Sequence, residues 1–144
     1  MMTKASAIAH PIQGLVKYHG LRDESLRLPF HDSISVCTAP LRTHTTVQFG
    51  MPHDAAVIDG RTLSGRELTR VLAVIDLLRA EAGVTSGFRM ESRNDFPSNV
   101  GLGASASGFA ALALAAARSL GLEMGLVELS RFARRVAGSA SRAV

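Results

Sequence analysis

The sequence predicts an α+β layer fold. Three observations carry that expectation. Strand-like residues occupy the first part of the chain, where Thr43 to Phe49 alternates with a period of two. Helical spacing begins at Ser64 and returns after Gly103. No regular alternation of strand and helix runs through the chain, which argues against a doubly wound sheet.

Residues 5 to 18 hold short apolar pieces broken by Pro11 and Gly14, and Leu15-Val16-Lys17-Tyr18 reads as a strand end. A polar loop follows from His19 to Arg27. Ser33 to Thr38 is β-branched and mostly apolar, so it reads as a strand with Cys37 buried in it. In the next strand Thr45, Val47 and Phe49 share one face, while His44, Thr46 and Gln48 share the other. Val57 and Ile58 lead into Asp59-Gly60, a hairpin turn signal. Ser64 and Glu67 have the spacing of a capping box. Leu68, Val71, Leu72, Ile75 and Leu78 then make one apolar stripe that stops at Gly83. Phe88 to Ser92 is a short strand candidate. A second helix is expected from Ala104 to Ser119, ended by Gly121, and a third from Leu126 to Val136 with Val127, Phe132 and Val136 inward.

The 144 residues are enough for one core-forming domain, taken as 1–144, and 47% hydrophobic content suits a globular chain. The longest apolar run, Phe109 to Ala117, falls short of the roughly 20 residues that span a bilayer. No apolar segment of signal-peptide type follows Lys4, so the expectation is a cytoplasmic protein with no membrane partner. Cys37 is the one cysteine, which leaves no disulfide framework or thiolate zinc site within a chain. The histidines show no HExxH spacing. A net charge of +4 raises nucleic acid as a partner. The arginines are dispersed, however, apart from Arg131, Arg134, Arg135 and Arg142, and aromatic residues do not interleave with them. No nucleic-acid partner is therefore expected. A homodimer stays open.

The chemistry concentrates in Phe96 to Phe109, FPSNVGLGASASGF. Pro97 leads into a glycine-serine loop that runs straight into an alanine-rich helix. The first amides of a helix lack internal partners and carry partial positive charge, so they suit phosphate. Ser105 and Ser107 add hydroxyls at the same place. A phosphorylated small molecule or a nucleotide is the implied ligand. The loop has neither GxxxxGK[ST] nor G-x-G-x-x-G spacing, which excludes a Walker A loop and a dinucleotide fold. All but two of the 16 cationic residues are arginine, so Lys17 stands out.

The pattern P-x-x-x-G-L-G-x-S-A-S, Pro97 to Ser107, resembles the ATP-binding loop of the GHMP kinase superfamily. Two further segments, Lys17-Tyr18-His19-Gly20-Leu21-Arg22-Asp23 and Leu28-Pro29-Phe30-His31-Asp32-Ser33-Ile34-Ser35-Val36, resemble K-Y-W-G-K-R-D and L-P-x-N-x-S-I-S-V. Those two belong to the mevalonate-pathway decarboxylases of that superfamily. Gly138-Ser139-Ala140-Ser141-Arg142 is similar to their G-S-A-C-R segment. Counting the two N-terminal segments as one element, three elements occur in the family's order along the chain.

The resemblance implies a GHMP kinase N-terminal domain of ribosomal protein S5 domain 2-like fold. It implies ATP and Mg²⁺ as cofactors and a phosphorylated mevalonate as substrate. ATP would lie on Pro97, Gly101, Leu102, Gly103, Ala104, Ser105, Ala106 and Ser107, with the Ser105 hydroxyl also facing the metal. Lys17 would be catalytic, as a point charge beside the transferred phosphate. Tyr18, His19, Ser139, Ser141 and Arg142 would bind substrate. Asp23 and Asp32 read as loop-ordering carboxylates, and Ser33 and Ser35 face either a pocket or the sheet interior.

Departures from the pattern bear on the substrate. His19 replaces the family's Trp, Leu21 its second Lys, Ile12 an Asn, and Val136-Ala137 a Gly-Ser pair. Losing an ammonium and a hydroxyl from one end of a pocket implies a less anionic substrate there. Ala9 to Gly20 is most similar to the archaeal-type branch acting on 5-phosphomevalonate, so a monophosphate is expected. The implied reaction phosphorylates the tertiary hydroxyl, then expels phosphate and CO2 to give isopentenyl phosphate. The family's catalytic aspartate lies in a later segment. The chain therefore reads as a fragment that lacks a C-terminal domain and does not turn over alone. Other readings are a diphosphomevalonate decarboxylase, a mevalonate 3-kinase that stops at phosphorylation, an inactive fragment, and a basic binding module.

Overall fold

The structure, a computed structural model, describes residues 3–144, so Met1 and Met2 of the expected domain lie outside the described residues. The strands are β1 (Lys4–Ala9), β2 (Ile12–Val16), β3 (Leu21–Asp23), β4 (Leu28–Pro29), β5 (Ile34–Cys37), β6 (Thr43–Met51), β7 (Ala55–Ile58), β8 (Arg61–Thr62) and β9 (Gly87–Asn94). The helices are α1 (Gly65–Ala82), α2 (Ala104–Ser119) and α3 (Leu126–Val136), followed by a 3₁₀ turn over Gly138–Arg142. Five strands form one sheet in the order β1-β6-β9-β7-β8, while β2 pairs with β5 and β3 with β4 in two small ribbons. All pairings are antiparallel except β7 with β9, which are joined through β8 and α1. The α+β expectation holds, with this single parallel crossover.

The period-two pattern of β6 has a physical result. Thr43, Thr45, Val47 and Phe49 are buried, and their neighbours face outward. In register with them on β9 are Asn94, Ser92, Met90 and Phe88. Val71, Val74, Ile75 and Leu78 of α1 complete this side of the core. α2 lies across β1 and β6. Its buried face is mostly alanine, and such small side chains let a helix axis approach a sheet closely. Arg79 ties α1 to the sheet: it pairs with Asp54 and with Asp76 at 3.0 Å, and its guanidinium stands 5.3 Å from the Phe88 ring centroid.

Several expectations are corrected. β1 lies in a stretch read only as broken apolar pieces, because Ala-Ser-Ala carries no β-branched signal and the sheet, not propensity, recruits it. The loop from His19 to Arg27 contains β3. Cys37 is exposed, since β5 belongs to a two-stranded ribbon and not to the main sheet. Ser64 is the N-cap of α1 but makes no side-chain capping bond; Glu67 instead takes a bidentate pair from Arg61 at 2.8 and 3.0 Å. Val127 is 69% exposed, while Leu129 and Ala133 face the core of α3.

Leu78→Ala removes a fully buried side chain and is expected to cost about 2–5 kcal/mol in a denaturant melt. Leu126→Ala, on the exposed start of α3, should stay within about 0.5 kcal/mol of the parent.

Candidate active site

The loop between β9 and α2 is held by β2 from beneath. Gly103 takes φ +80°, and a Cβ there would stand 2.6 Å from the carbonyl oxygen of Ile12. Only a residue without a side chain lets the loop lie this close on β2. Gln13 adds a second tie by donating from Nε2 to Gly101 O at 3.0 Å. α2 then begins at Ala104, with Gly103 as its N-cap and no side-chain cap. The amides of Ala106 and Ser107 donate to Gly103 O at 3.1 and 3.4 Å. Those of Ala104 and Ser105 have no backbone acceptor among the described residues. They carry the positive end of a 16-residue helix.

A cleft of about 430 Å³ opens where this loop, the end of β2 and the 3₁₀ turn meet. Lys17, Tyr18, Ser139, Arg142, Gly101, Gly103 and Ala106 are among its walls, and no Asp or Glu lines it among the described residues. Lys17 follows β2 directly. A Cβ on Gly14 would stand 3.1 Å from Lys17 Cγ, so this glycine leaves room for the lysine stem. Arg142 donates from Nη1 to Ser33 Oγ at 2.8 Å, and its guanidinium is 5.9 Å from the Tyr18 ring centroid. Tyr18 Oη reaches back to Gly138, where any side chain would collide with it. Neither Lys17 nor Arg142 has an acidic partner among the described residues. Two uncompensated cations with a phenol and a hydroxyl suit an anionic ligand bearing phosphate or carboxylate.

On the other side of the loop is a second cavity of about 190 Å³, bordered by Ser98, Asn99, Ala104, Ser105, Arg61, Arg70 and Phe109 among others. Arg70 lies over the Phe109 ring at 4.7 Å; its burial, with the charges of Arg27 and Arg66, pushes its pKa down. The first turn of α2 thus forms a partition between the two cavities.

The structure gathers Lys17, Tyr18, Ser139, Arg142, Gly101, Gly103 and Ala106 on the larger cleft, and Ala104 and Ser105 on the smaller cavity. Five residues expected at the site are placed elsewhere. His19 is exposed and lines neither cavity; it stands between the end of β2 and the bend at Gly20, where φ is +76°. Ser141 donates its hydroxyl to Gly138 O at 2.9 Å, inside the 3₁₀ turn. Pro97 is exposed and Leu102 half-buried, and neither lines either cavity. Ser107 is fully buried, with its hydroxyl 2.7 Å from Thr43 Oγ1. Helix geometry forces this, since Ser105 and Ser107 point to different sides of a turn. Ser33 faces the cleft side through Arg142. Asp23 orders its turn by accepting from Leu26 N–H and Ser25 Oγ, bonds that lower its pKa.

Sequence reasoning missed Gln13, Arg61 and Arg70. Gln13 sits inside the recognised stretch before Lys17, but nothing in its spacing marks a bond to residue 101. Arg61 and Arg70 belong to the dispersed arginines, and nothing in their spacing marks a cavity.

Gly103→Ala is expected to destabilise the domain by more than Gly101→Ala. Both positions have positive φ, but only at 103 does the Cβ strike backbone. The left-handed strain alone costs roughly 1–2 kcal/mol, the value expected for Gly101→Ala in a urea melt.

Residues 9–144 match the model of the diphosphomevalonate decarboxylase-like N-terminal domain. The chain is 55% identical over 143 residues to the phosphomevalonate decarboxylase of Haloferax volcanii, covering 98% of the chain and 44% of that protein. It is 37% identical to the diphosphomevalonate decarboxylase mvd1 of Aspergillus fumigatus, over 90% of the chain and 36% of that protein. Its fold superposes with a TM-score of 0.92 on mevalonate diphosphate decarboxylase from Staphylococcus aureus, at 38% identity, covering 100% of the chain and 44% of the other. A solved decarboxylase complex with MVAPP, AMPPCP and magnesium gives a TM-score of 0.91 at 36% identity, covering 100% and 45%. The chain thus spans less than half the length of these relatives. With the glycine loop, the cationic cleft and these matches in agreement, the chain belongs to the diphosphomevalonate decarboxylase-like family and carries its N-terminal domain.

Proposed function

We propose that the protein carrying this domain catalyses the ATP-dependent decarboxylation of (R)-5-phosphomevalonate to isopentenyl phosphate, CO2, ADP and phosphate. The observation that carries this reading is the larger cleft, which sets Lys17 and Arg142 against a phosphate-binding loop with no carboxylate in its lining. Kinship with decarboxylases of phosphorylated mevalonates supports the reaction type.

The residues present fit a nucleotide. Two unpaired amides, at Ala104 and Ser105, stand at a helix N-terminus beside a cavity. For a metal the described residues offer no group of three His, Cys, Asp or Glu, so Ser105 Oγ would be a single protein ligand beside phosphate oxygens. When bound, magnesium-ATP supplies the phosphoryl group for the tertiary hydroxyl of the substrate. The chain's own residues do the rest. The Ala104 and Ser105 amides hold phosphate oxygens. Lys17 places a point charge where phosphate leaves the tertiary carbon, stabilising the negative charge that develops there. Arg142, with Ser139 and Tyr18, orients the substrate anion in the same cleft.

A monophosphate fits better than a diphosphate. Val136 and Ala137, at the positions of the family's Gly-Ser pair, bring no hydroxyl toward the substrate. Leu21, in β3, offers no ammonium. The 55% identity to a phosphomevalonate decarboxylase, against 37% to a diphosphomevalonate decarboxylase, supports the same choice.

The test is product analysis with the protein carrying this domain, magnesium-ATP, and either mevalonate 5-phosphate or 5-diphosphate. Release of CO2 with a preference for the monophosphate is expected. A stable 3-phosphate without CO2 would replace the reading by a kinase, and a clear preference for the diphosphate would overturn the substrate assignment. Lys17→Met should lower kcat by about 100-fold or more while nucleotide affinity stays nearly constant.

A further inference from the structure

Beneath the glycine loop runs a chain of polar groups, from exposed Asp59 through half-buried Asn94 to buried Thr43 and Ser107, that the sequence did not announce. Asp59, in the β7–β8 turn, accepts from the Asn94 backbone N–H at 2.8 Å and from Asn94 Nδ2 at 3.1 Å. Asn94 Oδ1 accepts from Thr43 Oγ1 at 2.6 Å. Thr43 Oγ1 lies 2.7 Å from Ser107 Oγ in the first turn of α2, and Ser107 Oγ is in turn 3.2 Å from Ala104 O. Thr43 and Ser107 are 1% and 0% exposed, so water does not compete for the contact between them.

From Asp59 as far as Thr43 the protons have a fixed direction. A carboxylate only accepts, so the Asn94 amide turns its nitrogen to Asp59 and its oxygen to Thr43. Thr43 has one hydroxyl proton, and it goes to Asn94. The Thr43–Ser107 contact therefore uses the proton of Ser107, with Ala104 O as the longer alternative. Orientation set by Asp59 on the sheet is passed to the start of α2.

Among the described residues no side chain caps that helix start, and the Gln13 tie reaches only Gly101 in the loop before it. Gly103 is its N-cap. A purely apolar contact in place of the hydroxyls would bury the same surface without fixing the helix's rotation, whereas a fully satisfied buried network does fix it. We infer that Thr43 is a positioning residue: backed by Asn94 and Asp59, its hydroxyl holds Ser107 and so sets the first turn of α2 in the rotation that presents the Ala104 and Ser105 amides to a phosphate. This rests on the reading of that turn as a nucleotide-phosphate site.

The experiment compares Thr43→Val, Thr43→Ser and Ser107→Ala in the protein carrying this domain. Calorimetry with magnesium-AMPPCP measures nucleotide affinity, and steady-state assays give separate KM values for ATP and for mevalonate 5-phosphate. Thr43→Val and Ser107→Ala should each weaken AMPPCP by about 10-fold and raise the KM for ATP in step. The KM for the phosphorylated mevalonate should move by less than about two-fold, and Thr43→Ser should restore nucleotide affinity. The double variant should be little worse than either single one, because both remove one contact. Should Thr43→Val fail to fold, Ser107→Ala carries the test, since alanine is well tolerated in a helix. Folded variants with unchanged nucleotide affinity, or with both KM values raised alike, overturn the inference and leave the nucleotide site standing. A parent protein that binds no AMPPCP brings down both.

Discussion

Everything at this site depends on the backbone of the glycine loop resting on the backbone of β2. At Gly103 the loop passes so near Ile12 that no side chain fits between them. That approach brings a helix N-terminus, which is built by the β9–α2 segment, beside Lys17, which is built by the end of β2. The two are 86 residues apart in sequence, taking 103 less 17. A loop-strand contact of this kind cannot be replaced by a flexible side chain, because its distance is set by main-chain atoms on both sides.

The charges follow a division of labour. Arg42, Arg61, Arg79 and Arg93 each meet a carboxylate, so their charge is spent locally. Lys17 and Arg142 line the cleft without one. Exposed ion pairs contribute little to stability, so the pairing matters less for the fold than for where positive potential is left over. In the cleft that charge faces the glycine loop at Gly101 and Gly103. The first turn of α2 is tied to the sheet by the Thr43–Ser107 contact, while its Ala104 and Ser105 amides are left as donors.

The sequence was legible where one residue's chemistry or one period decides the outcome. The alternation in β6, the Asp59-Gly60 turn and the bounds of α2 and α3 all appear as read. It was illegible where the outcome depends on what another segment does. β1 is a strand because β6 pairs with it, and its Ala-Ser-Ala core has no strand signature of its own. Cys37 is exposed because its ribbon is not covered among the described residues. Glu67 serves Arg61 and not the helix cap, since the β8 arginine lies within reach of both carboxylate oxygens.

The sequence by itself determined the chemical inventory: a glycine loop opening an alanine-rich helix, a rare lysine after a strand, and a Gly-Ser-Ala-Ser-Arg turn. Periodicity and composition are local properties, so they could be read without coordinates. Only the tertiary structure decided which serine faces a ligand and which faces the core. Ser105 and Ser107 are chemically alike and two positions apart, yet the helix turns about 100° per residue, so they point in different directions. The sheet beneath α2 then claims Ser107 through Thr43, and the cavity beside it receives Ser105.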